Sequence, residues 1–130
     1  MDLKFELDKT LKRDEDIFEL YEALGWNAYI KRDLEGLLAI MRGSYHLVYV
    51  YEGEKLVATG RMISDGCLSA LVCGVGVHPD YQKQGLGQLV VDNLTHHGRS
   101  NNLFVELTCQ PDLEAYYTRL GFKQYGIAMK

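Results

Sequence analysis

The sequence predicts an α/β sandwich on a mixed sheet, in the order β-α-α-β-β-β-α-β-α-β, with residues 1–130 forming a single domain. Three observations predict it. Apolar residues recur at i, i+3, i+4 and i+7 or i+8 in four separate stretches, which is the period of amphipathic helices. Between the second and third of these lie three β-type runs joined by short turns, which read as an antiparallel meander. Beyond the meander the pattern changes to helical stripes alternating with strands, which makes the sheet a mixed one. The length suits one hydrophobic core.

Leu3-Lys4-Phe5-Glu6-Leu7 alternates and reads as the first strand. Ile17, Leu20, Tyr21 and Leu24 mark a helix ending near Gly25. Leu34, Leu37, Leu38 and Met41 mark a second helix, stopped at Gly43, with a Trp26/Tyr29 segment joining the two. Leu47–Tyr51, the turn Glu52-Gly53-Glu54-Lys55 and Leu56–Ile63 form a hairpin. Asp65-Gly66 turns the chain into Leu68–Val77, an apolar run with little alternation that reads as a strand buried on both faces. Leu86, Leu89, Val90 and Leu94 form the third helical stripe. Leu103, Val105 and Leu107 alternate as a strand, and Leu113, Tyr116, Tyr117 and Leu120 form the fourth stripe. Phe122–Met129 is expected as a final strand or a tight hairpin around Gly126.

Composition narrows the functional classes. Net charge is −4 and the longest basic run is Lys12-Arg13, so no concentrated basic surface for nucleic acid is expected. No apolar run is long enough to span a bilayer and no secretory signal pattern opens the chain, so a cytoplasmic protein without membrane attachment is expected. Cys67, Cys73 and Cys109 are odd in number and lack C-x-x-C spacing; three buried thiols in a reducing compartment are expected. His96 and His97 would point about 100° apart on a helix, and no metal site is implied.

The most informative segment is Val77-His78-Pro79-Asp80-Tyr81-Gln82-Lys83-Gln84-Gly85-Leu86-Gly87, which leads from a buried strand into a helix. Helix N-termini leave N–H groups unpaired and carry partial positive charge, so they bind anions. Gly85 and Gly87 remove side chains where a phosphate would approach the backbone, and Lys83 adds a charge at the mouth. The P-loop pattern is absent. Gly74-Val75-Gly76 starts like a dinucleotide fingerprint, but Pro79 stands where its last glycine should be. An ordinary turn before a helix is the alternative for the two glycines alone.

V-x-P-x-Y-Q-x-x-G-L-G, followed some thirty residues later by Tyr116-Tyr117-Thr118-Arg119-Leu120-Gly121-Phe122, resembles the GCN5-related N-acetyltransferase (GNAT) superfamily. Gln82, Gly85 and Gly87 match its Q/R-x-x-G-x-G/A signature, and the second segment matches F-Y-x-x-x-G-F with Tyr116 in place of Phe. The resemblance implies a mostly antiparallel mixed sheet with a splayed strand and helices on both faces. It also implies acetyl-CoA as the acetyl donor. The backbone of Val75, Gly76 and Val77 would hold the pantetheine and acetyl carbonyl. The turn with Gln82, Lys83, Gln84, Gly85, Leu86, Gly87 and Gln88 would face the pyrophosphate.

Transfer to an amine needs a neutral amine, a donor for the tetrahedral oxyanion and a proton for the leaving thiolate. Tyr117 matches the family position that often protonates the CoA sulfur, although its place on the stripe with Leu113, Tyr116 and Leu120 also suits packing. Leu68–Val77 carries no acid, so a water chain or an acid from elsewhere, such as Asp65 or Glu106, would have to serve as base; none is assigned. Gly25-Trp26, Tyr29, Leu38, Ser44 and Arg61-Met62-Ile63-Ser64-Asp65-Gly66 are similar to a bacterial and plastid subgroup containing plant serotonin N-acetyltransferases. That similarity implies a small aromatic or alkyl amine as partner, with Trp26, Tyr29 and Asp65 near it. Core aromatics and a Ser-Asp-Gly turn are the alternatives. A non-catalytic acyl-CoA-binding module and a protein Lys or N-terminal acetyltransferase are the competing functions. Little chain follows Phe122 to finish the sheet, and a homodimer covering that edge is a further expectation.

Overall fold

A computed structural model of the chain describes residues 4–130, so Met1, Asp2 and Leu3 lie outside the described residues. The elements are β1 (Phe5–Asp8), α1 (Glu15–Ala23), α2 (Asn27–Ile30), α3 (Leu34–Arg42), β2 (His46–Glu52), β3 (Lys55–Ser64), β4 (Ser69–Val77), α4 (Leu86–Ser100), β5 (Phe104–Leu107) and α5 (Glu114–Arg119). Short 3-10 turns at Pro79–Tyr81 and Pro111–Leu113 precede α4 and α5. The sheet runs β1-β2-β3-β4-β5, antiparallel except for the parallel pair β4/β5. A mixed, mostly antiparallel α/β sheet is what the sequence and its resemblance imply.

Alternation along the strands divides the core between the two faces. Val48, Val50, Val57, Met62, Ala70 and Val72 pack against Leu86, Val90 and Leu94 of α4 on one face. Tyr49, Tyr51 and Leu56 pack against Ile17, Leu20 and Tyr21 of α1 and Leu37, Leu38 and Met41 of α3 on the other. The close approach of α4 to β3 depends on Gly60, where an added Cβ would collide with Val90 and sit 3.0 Å from Leu94.

Four expectations change. The Leu68–Val77 run is not buried on both faces, since Leu68 is 60% and Leu71 36% exposed. The Trp26/Tyr29 connection contains one helical turn, α2, ended by Lys31 in the left-handed region at φ 55°. The final strand is not formed: residues 120–130 carry no regular element, and Tyr125, Ile127 and Met129 are 77%, 86% and 92% exposed. Their alternation faces no partner strand, and alternation without a partner buries nothing. The thiols are also not all buried, because Cys67 and Cys109 are exposed and Cys73 is partly so.

His46 of β2 and His97 of α4 stack face to face, with ring centroids 3.7 Å apart and planes 3° apart. Burial pushes both imidazoles below their ordinary value, with the neighbouring His97 adding to the effect on His46 and Lys9 adding to it on His97. The unfolded chain therefore binds protons at a higher pH than the folded one. The corresponding stability is complete above the unfolded value of about 6.5 and is lost as pH falls through the folded values. The urea midpoint should drop between about pH 7 and pH 5, and His46→Asn should flatten that dependence.

Candidate active site

The geometry of the site starts with a defect in the sheet. On β4, Cys73 faces Arg61 and Gly76 faces Thr59, so β4 carries one residue more than β3 across this stretch. The extra residue is accommodated by Gly74, at φ +61°, a conformation that side-chain-bearing residues rarely adopt. Such a bulge bends its strand. The parallel ladder of β4 with β5 ends at Val72 and Leu107, just before the bulge, and from Cys73 onward the two strands are no longer paired. This leaves a wedge between their C-terminal ends.

A cleft of about 360 Å³ occupies the wedge. It is walled by Tyr21 of α1, Trp26, Tyr29 and Ile30 around α2, Ile40 of α3, Arg61 of β3, and Val72, Cys73, Gly74 and Val75 of β4. Leu107, Thr108 and Tyr117 close the β5 and α5 side. The volume falls at the lower end of the range of small-molecule sites, about 300–1,000 Å³. Trp26 serves both as core and as wall. Its ring meets Tyr21 edge to face at 4.9 Å, and a Cβ on the buried Gly76 would lie 2.7 Å from it. Gly76 thus lets α2 lie directly on the β4 backbone.

Beyond Val77 the chain enters the turn before α4. Gln82 donates its side-chain amide to the Val77 carbonyl at 3.3 Å, tying the turn to the strand end. Lys83 and Gly85 both take positive φ, 64° and 82°, and Gly85 is the N-cap of the fifteen-residue α4. No side chain caps this helix start and its first turn holds no acid. Leu86 is buried and anchors the turn, whereas Gln82, Lys83, Gln84, Gly85 and Gln88 are exposed. A Cβ at Gly85 would meet nothing within 4 Å, so the space over the helix amides is open. A Cβ at Gly87 would lie 3.1 Å from the Tyr116 hydroxyl, which places α5 beside the turn. An uncapped, acid-free helix terminus over open space fits a diphosphate.

Tyr117 lines the cleft, with its ring held edge-on between Tyr116 at 5.0 Å and Phe122 at 6.2 Å. Burial raises its phenol above the ordinary value, helped by Tyr116 and Cys109, so it is protonated at neutral pH. Cys73 is likewise raised, by burial first, against an opposing pull from Arg61. A neutral thiol is a poor nucleophile. Trp26 and Tyr29 stand in the cleft wall as the sequence suggests. Asp65 does not: it lies in the turn after β3, where it accepts hydrogen bonds from the amides of Cys67 at 2.8 Å and Leu68 at 3.1 Å. Those backbone donors hold its carboxyl below the ordinary value. Glu106 does not line the cleft either, and it accepts a hydrogen bond from the Tyr125 hydroxyl. Sequence reasoning missed Tyr21, Ile40, Leu107, Thr108 and the pocket role of Arg61, since no local spacing unites residues from so many elements.

The profile of the Acetyltransferase (GNAT) family matches residues 9–122. The chain belongs to that family. Similarity to individual GNAT relatives is lower. An uncharacterised N-acetyltransferase, ycf52, of Pyropia yezoensis is 29% identical over 112 residues, covering 82% of this chain and 63% of the relative. Its counterpart from Porphyra purpurea is 28% identical over 91% of this chain and 78% of its own length. Among solved structures, a Trypanosoma brucei acetyltransferase superimposes with a TM-score of 0.76 at 20% identity, covering 97% of each chain. Glucosamine-6-phosphate N-acetyltransferase from Arabidopsis thaliana does so with a TM-score of 0.72 at 21% identity, covering 97% of this chain and 96% of its own. These likenesses establish a GNAT fold. Among the described residues no helix is long and apolar enough to cross a membrane.

Proposed function

We propose that this GNAT protein moves the acetyl group of acetyl-CoA to a small primary amine by direct attack. The observation that carries the reading is one cleft that gathers the unpaired edge of β4, a protonated Tyr117 and an aromatic wall from Tyr21, Trp26 and Tyr29.

Bound acetyl-CoA would supply a thioester carbon open to attack and a thiolate leaving group. The uncapped amides at the start of α4, with Lys83 at the mouth, would hold its pyrophosphate. The β4 edge from Val75 to Val77, which β5 leaves open, would hold the pantetheine arm and donate an N–H where negative charge develops on oxygen. Tyr117 would donate its phenolic proton to the departing sulfur. The neutral state of Cys73 argues for direct attack over an acyl-enzyme. Among the described residues no Asp, Glu or His lines the cleft, so amine deprotonation would fall to water. The aromatic walls favour an aromatic or alkyl amine over an extended peptide.

An amine panel read by CoA thiol release tests this directly. Release with small aromatic amines is expected. CoA binding by calorimetry with no release across the panel would instead identify a non-catalytic CoA-binding module. Release only with peptide lysines or N-termini would identify a protein acetyltransferase.

A further inference from the structure

The charge inside the acceptor cleft does not suit a simple cationic amine. Among the described residues its walls contain one formally charged side chain, Arg61, and no carboxylate. Arg61 is partly buried on β3 and makes no ion pair among the described residues. Its hydrogen-bonding partner is the Ser44 hydroxyl, at a long 3.4 Å, and that hydroxyl already donates to the Ile40 carbonyl at 2.9 Å. A guanidinium offers five N–H donors in a fork that matches a carboxylate. Most of that capacity is unspent here.

The position of Arg61 is equally specific. A Cβ built on Gly74 would lie 3.4 Å from its Nε and 3.5 Å from the Tyr21 hydroxyl. The cation therefore sits at the β4 bulge, beside the Tyr21–Trp26 ring pair and across from the strand expected to hold the acetyl group. Asp65, four residues on, is occupied by backbone amides. Tyr21 and Cys73, which face the guanidinium, are both raised above their ordinary values, by burial first, and are neutral at pH 7.

We infer that Arg61 selects an acceptor carrying a carboxylate beside its amine and an aromatic ring, that is, an aromatic amino acid or a close analogue. This deepens the acetyltransferase reading and rests on it. The carboxylate would take the guanidinium fork, and the ring would lie on Trp26 and Tyr29. The amine, held through its neighbour, would lose its proton to water without an acidic side chain binding it as a cation. A cationic amine without the carboxylate would meet an unscreened positive charge in a part-buried cleft, which costs affinity.

Three matched acceptors test it: tryptophan, tryptophanamide (equal in size, without the carboxylate) and tryptamine (lacking the group). Wild-type kcat/KM is expected to be at least tenfold higher for tryptophan than for either of the others. Arg61→Gln should raise KM for tryptophan at least tenfold more than KM for tryptamine, with calorimetric CoA binding showing that the donor site is still formed. Arg61→Lys should recover part of the lost tryptophan affinity, and its thermal melt guards against misfolding of the Gln variant. A wild-type preference for tryptamine, or an equal effect of Arg61→Gln on all three acceptors, would overturn the inference while leaving the acetyltransferase intact. No thiol release with any of them, nor with any other amine, while CoA still binds would overturn both.

Discussion

Gly85→Val is expected to weaken CoA binding by about a hundredfold while leaving the fold in place. Gly85 caps α4 at φ +82°. A non-glycine residue in this left-handed region costs roughly 1–2 kcal/mol, and β-branching makes it worse. If the turn relaxes to relieve that strain, binding must restore it, which alone is worth roughly tenfold in affinity. The remainder comes from position. The space above Gly85 is open, so the new isopropyl group would project into the region over the helix amides without clashing with protein. That is the room a phosphate needs. Because α4 is anchored by Leu86, Val90, Val91 and Leu94, all buried, helix content should change little, and the strain should lower the thermal midpoint by only about 5–10 °C. Calorimetric titration with CoA, alongside far-ultraviolet dichroism, checks both halves. CoA affinity within threefold of wild type in a folded variant would remove the turn from the pyrophosphate site.

The sequence and the structure agree where one period governs a whole element with neighbours to pack on. The hairpin of β2 and β3 and the long α4 are of this kind. The C-terminal segment shows the limit. Tyr125, Ile127 and Met129 alternate, but a strand is a relation between two backbones, and no backbone ladder pairs them among the described residues. Gly74 shows another limit. Within an apolar run it reads as one small residue among several, while in space it bears the bulge that follows directly on the parting of β4 and β5. Side-chain networks between distant positions were illegible for a simpler reason. Buried Asp16 accepts from the Tyr51 hydroxyl at 2.7 Å across thirty-five residues of sequence, and Arg13 bonds the same carboxylate at 3.0 Å. Nothing local marks that pair. The cleft is of the same type. Trp26 and Tyr29 could be suspected from resemblance, but Tyr21, Arg61 and Leu107 join them only because the sheet order brings their elements together. Asp65 shows the converse, since the Ser-Asp-Gly turn chemistry readable in the sequence accounts for its hydrogen bonds.

Tyr117→Phe is expected to lower kcat about a hundredfold, with KM for acetyl-CoA and the affinity for CoA unchanged. The substitution is structurally mild. The ring contacts with Tyr116 and Phe122 use the aromatic faces and edges, which Phe retains. The hydroxyl makes no hydrogen bond to any described residue, so its removal orphans no partner, and stability should stay within about 0.5 kcal/mol. A group that merely packs would therefore be silent here. The pH profile separates the two roles further. The acid form of Tyr117 is the useful one, and burial with its neighbours Tyr116 and Cys109 raises the phenol above its ordinary value of about 10. Wild-type kcat should fall as pH rises through that raised value, where the proton is lost before it can be donated. The Phe variant has no such proton, so its smaller kcat should lack that alkaline limb. If kcat and the limb both survive in Tyr117→Phe, the proton reaches the sulfur from water, and Tyr117 is a wall of the cleft alone.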